Sequence, residues 1–479
     1  MGRWSATKRW AIAICLLALG AGIFWFVLEL ADPARALAGK SSAQLIYLQV
    51  MFRNYTPPAL QFCRLGVGAS SDIAAYQVNS LGLGWYLDWA ATNWTRPGGI
   101  KYLPTIHISP VGSSSYTYSP NGSTLLALID AHPGALWLVG NEPDRRYFQD
   151  SVIAEIYARA YREIYNLIKG RDPTALIAAG GIVEPTPLRL QYLDLVLQSY
   201  QTLYGGTMPV DVWNIHNYIL PERNCNYYPD NCWGADVPTG IDVPKGKEYT
   251  VDDNGNLTIF KQHVEAFRQW MADRGYQDQP LIITEMGIQM WEDYGFPPAR
   301  VNAFMNDTFD YLRTMTSAVG YRYDNYRLVQ RWAWYSVSDN NFNGWLFDPN
   351  TRARTVFGDN FAAYASRLQP AINVTPVKIW AESTGNPATV TLKALVVNNG
   401  NVAATSGTVA RFYQGNPSAG GTQIGAAQNV PALDGCAAAT TVQVSWGNVT
   451  PGTYQIYVVV NSNTYSSSVV LTAPSRKGR

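Results

Sequence analysis

Between about residues 60 and 368 the chain alternates short apolar runs with amphipathic stretches, and this alternation constrains the fold more than any other feature. The apolar runs are Gln61–Val67, Gly82–Leu87, Lys101–Ile108, Ala135–Val139, Ala175–Ala179, Val210–Ile215, Leu281–Thr284 and Leu328–Tyr335. Near-continuous apolar runs of this length are expected of parallel strands, which are covered on both faces. The stretches between them have helical period. Ser151 to Lys169 puts Ile153, Ile156, Tyr157, Ala160, Ile164 and Ile168 on one stripe, with Asp150 as a cap and Gly170 as a stop. Phe260 to Arg274 repeats the scheme, with Val264, Phe267, Trp270 and Met271 inward and Gly275 after the last turn. Such repeats build parallel βα units, and eight of them in roughly 300 residues fit an α/β fold of the (β/α)8 (TIM) barrel type. An open doubly wound sheet is the alternative, but no glycine-rich phosphate fingerprint follows the first strand.

The flanks differ in texture. Arg3, Lys8 and Arg9 precede an uncharged apolar run from Trp10 to Leu28, followed by Glu29, Asp32 and Pro33. A basic head before an apolar middle is an export signal. The run is also long enough to span a bilayer, and Ala36-Leu37-Ala38 before Gly39 offers a cleavage site. A cleaved signal over residues 1–38 and a retained membrane anchor both stay open. Either delivers the chain beyond the stem at residues 39–59 to the non-cytoplasmic side, outside the cell or on its surface. After Leu368 and Pro370 helical periodicity disappears. Val390, Leu392, Ala394 and Val396 alternate with mostly polar neighbours, as do Val442, Val444 and Trp446, and Tyr454, Ile456, Val458 and Val460. With turns at Asn399-Gly400-Asn401 and Pro451-Gly452, this pattern predicts a small immunoglobulin-like β-sandwich over residues 371–473.

Charged residues are only 15% of the chain and the net charge is +1, which argues against nucleic acid as a partner, since phosphates need a basic surface. Cys15 lies in the leader. Cys225 and Cys232 bracket a polar, turn-rich loop and are expected to form a disulfide in an oxidising compartment. Cys63 and Cys436 are expected as lone buried thiols. No histidine stands at ligand spacing from the cysteine pair, so neither a metal nor a cofactor is expected.

Two apolar runs end in glutamates: Gly140-Asn141-Glu142-Pro143-Asp144 follows the fourth strand, and Thr284-Glu285-Met286-Gly287 follows the seventh. A carboxylate at a buried strand end needs partners, and two of them suggest one site. A barrel would gather at its C-terminal rim Arg64, Trp85, Trp89, His107, Asn141, Glu142, His216, Asn217, Tyr218, Glu285, Trp334 and Tyr335. Two carboxylates among aromatic and hydrogen-bonding groups, with no thiol nucleophile, suit glycoside hydrolysis. One carboxylic acid protonates the leaving oxygen, and the second carboxylate attacks or stabilises the oxocarbenium-like carbon. Those roles need different proton affinities, and repulsion between the two carboxyls helps to separate them.

On these two motifs the chain resembles the clan A glycoside hydrolases, retaining β-glycosidases whose glutamates end barrel strands four and seven. Asn141-Glu142-Pro143-Asp144 with Thr284-Glu285 is most similar to the Asl1-like glycosyl hydrolase catalytic group, some members of which act on β-1,3-glucan. The likeness covers about residues 60 to 368. It implies Glu142 as general acid/base, Glu285 as nucleophile, Asn141 on the sugar 2-hydroxyl, Tyr218 hydrogen-bonded to the nucleophile and Trp334 as the floor of the sugar subsite. His216, His107, Trp89 and Arg64 join them as expected substrate-binding residues from their strand ends. The tail resembles the CARDB-type domains of bacterial surface proteins through Leu395–Asn401, Arg411–Gly415 and Pro451–Tyr454, and is expected to be a spacer or stabilising module. The segment from Leu220 to about Thr258 is long for a connection in a compact domain and is expected to wall or cover the cleft, with Asp339–Trp345 opposite. A monomer acting on a polysaccharide or oligosaccharide is the expected form. A non-catalytic surface protein that binds glycan in the same cleft is the competing reading, but it has no need of acids at both positions.

Overall fold

The computed structural model describes residues 60–92, 96–339, 341–383 and 389–471. The expected signal or anchor and the stem lie outside these residues. Among the described residues no helix is long and apolar enough to cross a membrane.

The first domain begins with β1 (Phe62–Gly68), β2 (Leu83–Leu87), β3 (Lys101–Tyr102) and β4 (Thr105–Val111). β5 (Ser115–Ser119) folds back antiparallel on β4. β6 (Leu136–Asn141), β7 (Leu176–Gly181), β8 (Trp213–His216) and β9 (Leu281–Met286) follow, then β10 (Thr316–Tyr321) and β11 (Arg331–Trp334). The expected single strand over Lys101–Ile108 is broken at Leu103-Pro104, because proline has no N–H for the ladder. Its two pieces stay in line: Leu103 N donates to Tyr86 O and Leu138 N donates to Pro104 O, both at 2.9 Å.

The sheets run in the orders β3-β2-β1-β11-β9-β8 and β5-β4-β6-β7. The in-line break between β3 and β4 joins them on one side. Parallel bridges Ala178↔Val212 and Ile182↔Ile215 join β7 to β8 on the other. Eight parallel lines of strand therefore close a barrel, with β5 and β10 outside it. Trp85, Leu87, Leu138, Ala178, Ile282 and Ala333 fill the interior. The outer faces pack on α1 (Gly122–Ala131), α2 (Ala154–Arg171), α3 (Pro187–Tyr204), α4 (Leu257–Asp273), α5 (Pro298–Thr314) and α6 (Val356–Ser366). Asn256 caps α4 by accepting from Thr258 N and Ile259 N. Asp150 does not cap α2, whose N-cap is Ile153 with no side-chain bond.

The second domain is two antiparallel sheets around one apolar core. β12 (Val374–Ser383), β13 (Thr389–Asn398) and β16 (Ala438–Gly447) form the first. β14 (Thr408–Gln414), β15 (Thr422–Val430), β17 (Gly452–Val460) and β18 (Asn463–Leu471) form the second, in the order β15-β14-β17-β18. Leu392, Ala394, Val396, Val442, Val444, Ile456, Val458 and Val460 all point into that core, as their period of two requires.

The sandwich contacts the barrel at the N-terminal ends of its strands. Cys63 N donates to Asn401 O at 3.0 Å, and Asn399 Nδ2 donates to Asn325 Oδ1 at 3.3 Å. Here the cysteine expectation is corrected. Cys63 and Cys436 are the bonded pair, with Cα atoms 5.9 Å apart, within the span a disulfide bridges, and 373 residues apart in sequence. Cys225 and Cys232 are free thiols. Cys225 Sγ instead lies 3.6 Å from the carbonyl oxygen of Cys232.

Candidate active site

β6, β8 and β9 end at the same rim, opposite the sandwich. His216 pairs with Glu285 in the β8–β9 register, and Glu142 N donates to Gly181 O at 3.0 Å. Gly181 has no room for a side chain, since a Cβ there would stand 2.6 Å from His216 Cδ2. His216 is therefore set between the two glutamates. Its Nδ1 lies 2.9 Å from Glu142 Oε1, and its Nε2 lies 3.4 Å from Glu285 Oε1. One ligand-type atom of each of the three residues falls within 4.8 Å of the others, so the carboxylates face each other across one imidazole.

Each glutamate has its own donors. Trp89 Nε1 donates to Glu285 Oε1 at 2.5 Å, and Tyr218 OH donates to Glu285 Oε2 at 3.0 Å. Arg145 Nη1 donates to Glu142 Oε2 at 3.0 Å. Burial pushes the Glu142 carboxyl up, but the His216 hydrogen bond and the Arg145 charge outweigh it and hold it well below the usual carboxylate range. Burial pushes Glu285 up, with the neighbouring Glu142 charge adding to the rise against His216, Trp89 and Tyr218. Burial lowers His216, yet the two glutamates reverse that and raise it. Among the described residues Glu142, His216 and Glu285 are the only such group close enough to share a cation. The Arg145 guanidinium already supplies positive charge there, so the donor set reads as an acid pair.

Trp89 is held from behind. Its ring lies on Gly68, where a Cβ would come within 2.5 Å of the indole. Its carbonyl is 2.7 Å from His107 Nε2, and His107 Nδ1 is 2.7 Å from Asp150 Oδ1. An imidazole with an acceptor on each nitrogen is best satisfied when protonated. The hydrogen bond to Asp150 raises His107 accordingly, against the effect of burial. Asp150 Oδ2 also accepts from Asn141 N at 2.9 Å and Ile108 N at 3.0 Å, tying β4 to β6. The residue expected as a helix cap is instead a bracket beneath the site. Asn141 directs its Nδ2 to Gln149 Oε1 at 3.2 Å.

Four residues expected at the rim lie elsewhere. Trp85 fills the barrel interior, and Asn217 turns outward to α4, donating Nδ2 to Phe260 O at 3.1 Å and facing His263 Nδ1 at 2.9 Å. Arg64 stands level with the start of β11, at the N-terminal end of the barrel. Its guanidinium is taken by Asp324, with two contacts of 2.9 Å. Trp334 is fully buried, packs on Phe309 of α5 and donates Nε1 to Gly344 O at 2.7 Å. Its neighbour Tyr335 has the opposite strand parity and faces the rim, with its ring 5.3 Å from Trp89 and 6.4 Å from Tyr218. Arg145 and Asp150 have no site signal in the sequence, because they lie inside the loop after β6, where no periodicity says which side chain turns to the rim.

The long connection after β8 is fastened by charge instead of a disulfide. Arg189 on α3 pairs with Asp144, and its Nε lies 3.1 Å from Glu222 Oε1. Its Nη2 donates to Ala235 O and Asp236 O at 2.8 Å. Glu184, fully buried, accepts from Leu220 N through Oε2 and leaves Oε1 without a partner. Burial and then the Glu222 charge push its carboxyl well above the usual range. A folded-state value above the unfolded one means folding takes up a proton. This stability is present below the usual glutamate range and is lost as pH rises through the folded value. Glu184→Gln should therefore raise the thermal midpoint more at about pH 8 than at about pH 5. An equal shift at both values, by calorimetry, would contradict this.

No protein-family model matches the sequence, and no curated protein matches it. Solved structures do superpose. An endo-β-1,3-glucanase of glycoside hydrolase family 128 (subgroup II) from Sorangium cellulosum gives a TM-score of 0.42 at 18% identity, covering 63% of this chain and 98% of that one. A curdlan-specific exo-β-1,3-glucanase of the same family (subgroup III) from Blastomyces gilchristii, in complex with glucose, gives 0.40 at 19% identity, covering 62% and 97%. A glucosidase from Croceicoccus marinus gives 0.43 at 11% identity, covering 82% and 95%. All three TM-scores are below 0.5.

Proposed function

We propose that the protein hydrolyses O-glycosidic bonds of a glycan by double displacement, with Glu142 as general acid/base and Glu285 as nucleophile. The observation that carries this reading is the pair of buried glutamates, whose facing oxygens lie within 4.8 Å of each other at one barrel rim. A pair this close favours retention, in which the carboxyls stand about 5–5.5 Å apart, over inversion, in which they stand about 6.5–9.5 Å apart. In the first step Glu142 protonates the leaving oxygen while a Glu285 oxygen bonds to the anomeric carbon. In the second, Glu142 takes a proton from water, which attacks that carbon and frees Glu285.

Trp89 and Tyr218 hold the nucleophile by one hydrogen bond to each oxygen, which fixes its direction and stabilises its charge as it leaves the sugar. The Trp89 and Tyr335 rings offer flat faces for the C–H side of a pyranose. Trp89→Phe keeps such a face but removes the indole donor. Hydrogen bonds to charged groups are worth about 1.5–3 kcal/mol, so kcat/KM should fall about tenfold to a hundredfold. Unchanged kcat/KM would remove Trp89 from the machinery.

The Asn-Glu-Pro-Asp and Thr-Glu motifs favour the Asl1-like group, and with it a β-1,3-glucan as first substrate to try. The basic, apolar N-terminal segment favours export. The position of the sandwich, against the far end of the barrel, favours a spacer or stabilising role over one in the cleft. Hydrolysis of a panel of β-glucans, xylan, mannan and aryl β-glycosides tests the proposal. Release of sugar by wild type but not by Glu142→Gln or Glu285→Gln supports it. Glycan binding that is equal in all three proteins, without hydrolysis, replaces it with a binding protein.

A further inference from the structure

Both oxygens of Glu142 have partners. Oε1 faces His216 Nδ1 at 2.9 Å and Oε2 accepts from Arg145 at 3.0 Å, and the side chain is 2% exposed. Arg145 donates to one oxygen, and His216, whose proton affinity is raised, stands against the other, so the pair favours the charged carboxylate over the acid. Withdrawal of a positive partner would raise the proton affinity of Glu142 and favour the acid. His216 is fixed: it is fully buried on β8, between the two glutamates. Arg145 is less enclosed: its backbone bridges Pro238, but its side chain is 21% exposed and it lies on the loop between β6 and α2.

That loop is also where the backbone is strained. Glu142, Tyr147, Gln149 and Ser151 have φ of 44°, 64°, 51° and 46°, a left-handed conformation that non-glycine residues adopt at a cost and that clusters at functional segments. Arg145 Nε is buried without a partner, so its present seat is incomplete. The guanidinium already lies over the Phe148 ring at 5.4 Å, and that ring, 59% exposed, can keep the cation on its face when the pair with Glu142 opens.

We propose, on the glycosidase reading above, that Arg145 is a displaceable counter-ion. It holds the acid/base carboxylate ionised and withdraws when a glycan enters, so that Glu142 becomes an acid once the glycan is bound. Arg145 is a positioning residue in this scheme, acting on the sugar through Glu142. The other groups facing Glu142 decide the sign of the change. Glu285 on β9 and Asp144, which is paired with Arg189 of α3, repel its charge. His216 on β8 attracts it, and the Tyr218 and Tyr335 hydroxyls are neutral. Without Arg145 two like charges face one imidazole, and the proton affinity of Glu142 rises.

Carbon-13 NMR of protein labelled at the glutamate carboxyls reads this without needing turnover, with the Glu142 signal identified by its loss in Glu142→Gln. The Glu142 midpoint should rise by about 1–3 pH units in Arg145→Gln, the usual effect of losing one close opposite charge. It should stay near the wild-type value in Arg145→Lys. The alkaline limb of kcat/KM should move up with it in Arg145→Gln. The Glu142 midpoint should also rise when the glycan selected by the hydrolysis panel saturates Glu285→Gln. An unchanged midpoint in Arg145→Gln overturns the counter-ion, and an unchanged midpoint on glycan binding overturns its displacement. A wild-type protein that turns over no glycan, but whose Glu142 midpoint shifts in Arg145→Gln, keeps the ion pair and rejects the hydrolase reading instead.

Discussion

Glu142→Gln and Glu285→Gln should each lower hydrolysis of a natural glycan by about a thousandfold or more. General acid–base catalysis alone contributes about 10²–10⁴-fold, and loss of the nucleophile removes the covalent route altogether. The two losses should differ in kind. An aryl glycoside with a good leaving group needs little protonation, so Glu142→Gln should still form the glycosyl-enzyme and stall before water attacks. Glu285→Gln should be inert on both substrates. A burst of phenol release from Glu142→Gln, absent from Glu285→Gln, assigns the roles. The reverse pattern would exchange them, and the resting charge distribution makes that test worthwhile. His216 and Arg145 hold Glu142 low against the effect of burial, while burial and the Glu142 charge raise Glu285. The displaced Arg145 reconciles that resting state with Glu142 as the acid.

Breaking the Cys63–Cys436 bond should have the largest effect on stability. The bond ties the first barrel strand to the sandwich across 373 residues of chain. Disulfides that close long loops stabilise by about 2–4 kcal/mol, mainly by restricting the unfolded chain. Cys63→Ser with Cys436→Ser should lower the thermal midpoint by several degrees, about 2–4 °C for each kcal/mol in a larger domain. Activity at the opposite rim should persist at low temperature. A calorimetric midpoint that neither these substitutions nor a reductant moves would contradict the role given to the bond. The Cys63→Ser/Cys436→Ser variant with and without the reductant provides the control for any effect through the free Cys225 and Cys232.

The two glutamates were legible because each ends an apolar run, and a polar residue there has few places to go except the rim of a parallel sheet. Trp334 was misplaced by one residue. In a strand of period two that moves a side chain from one face to the other, so Tyr335 stands by Trp89 and Trp334 packs on Phe309. Arg64 was misplaced because nothing local distinguishes the start of a buried strand from its end. The cysteines illustrate a different limit. Cys225 and Cys232 are close in sequence and suggest a bond, whereas Cys63 and Cys436 meet only after both domains have folded and docked. Asp150 precedes a helix and fits a cap on local grounds. Its oxygens instead serve His107, Ile108 and Asn141, partners that no local pattern reveals.

The measurement closest to the central claim is proton NMR of the sugar first released from a β-1,3-gluco-oligosaccharide, with wild type, Glu142→Gln and Glu285→Gln side by side. Double displacement by this pair predicts that wild type releases the β-anomer first, which then equilibrates, and that neither variant releases sugar at a comparable rate. Release of the α-anomer first, or the same slow release from all three proteins, would contradict it.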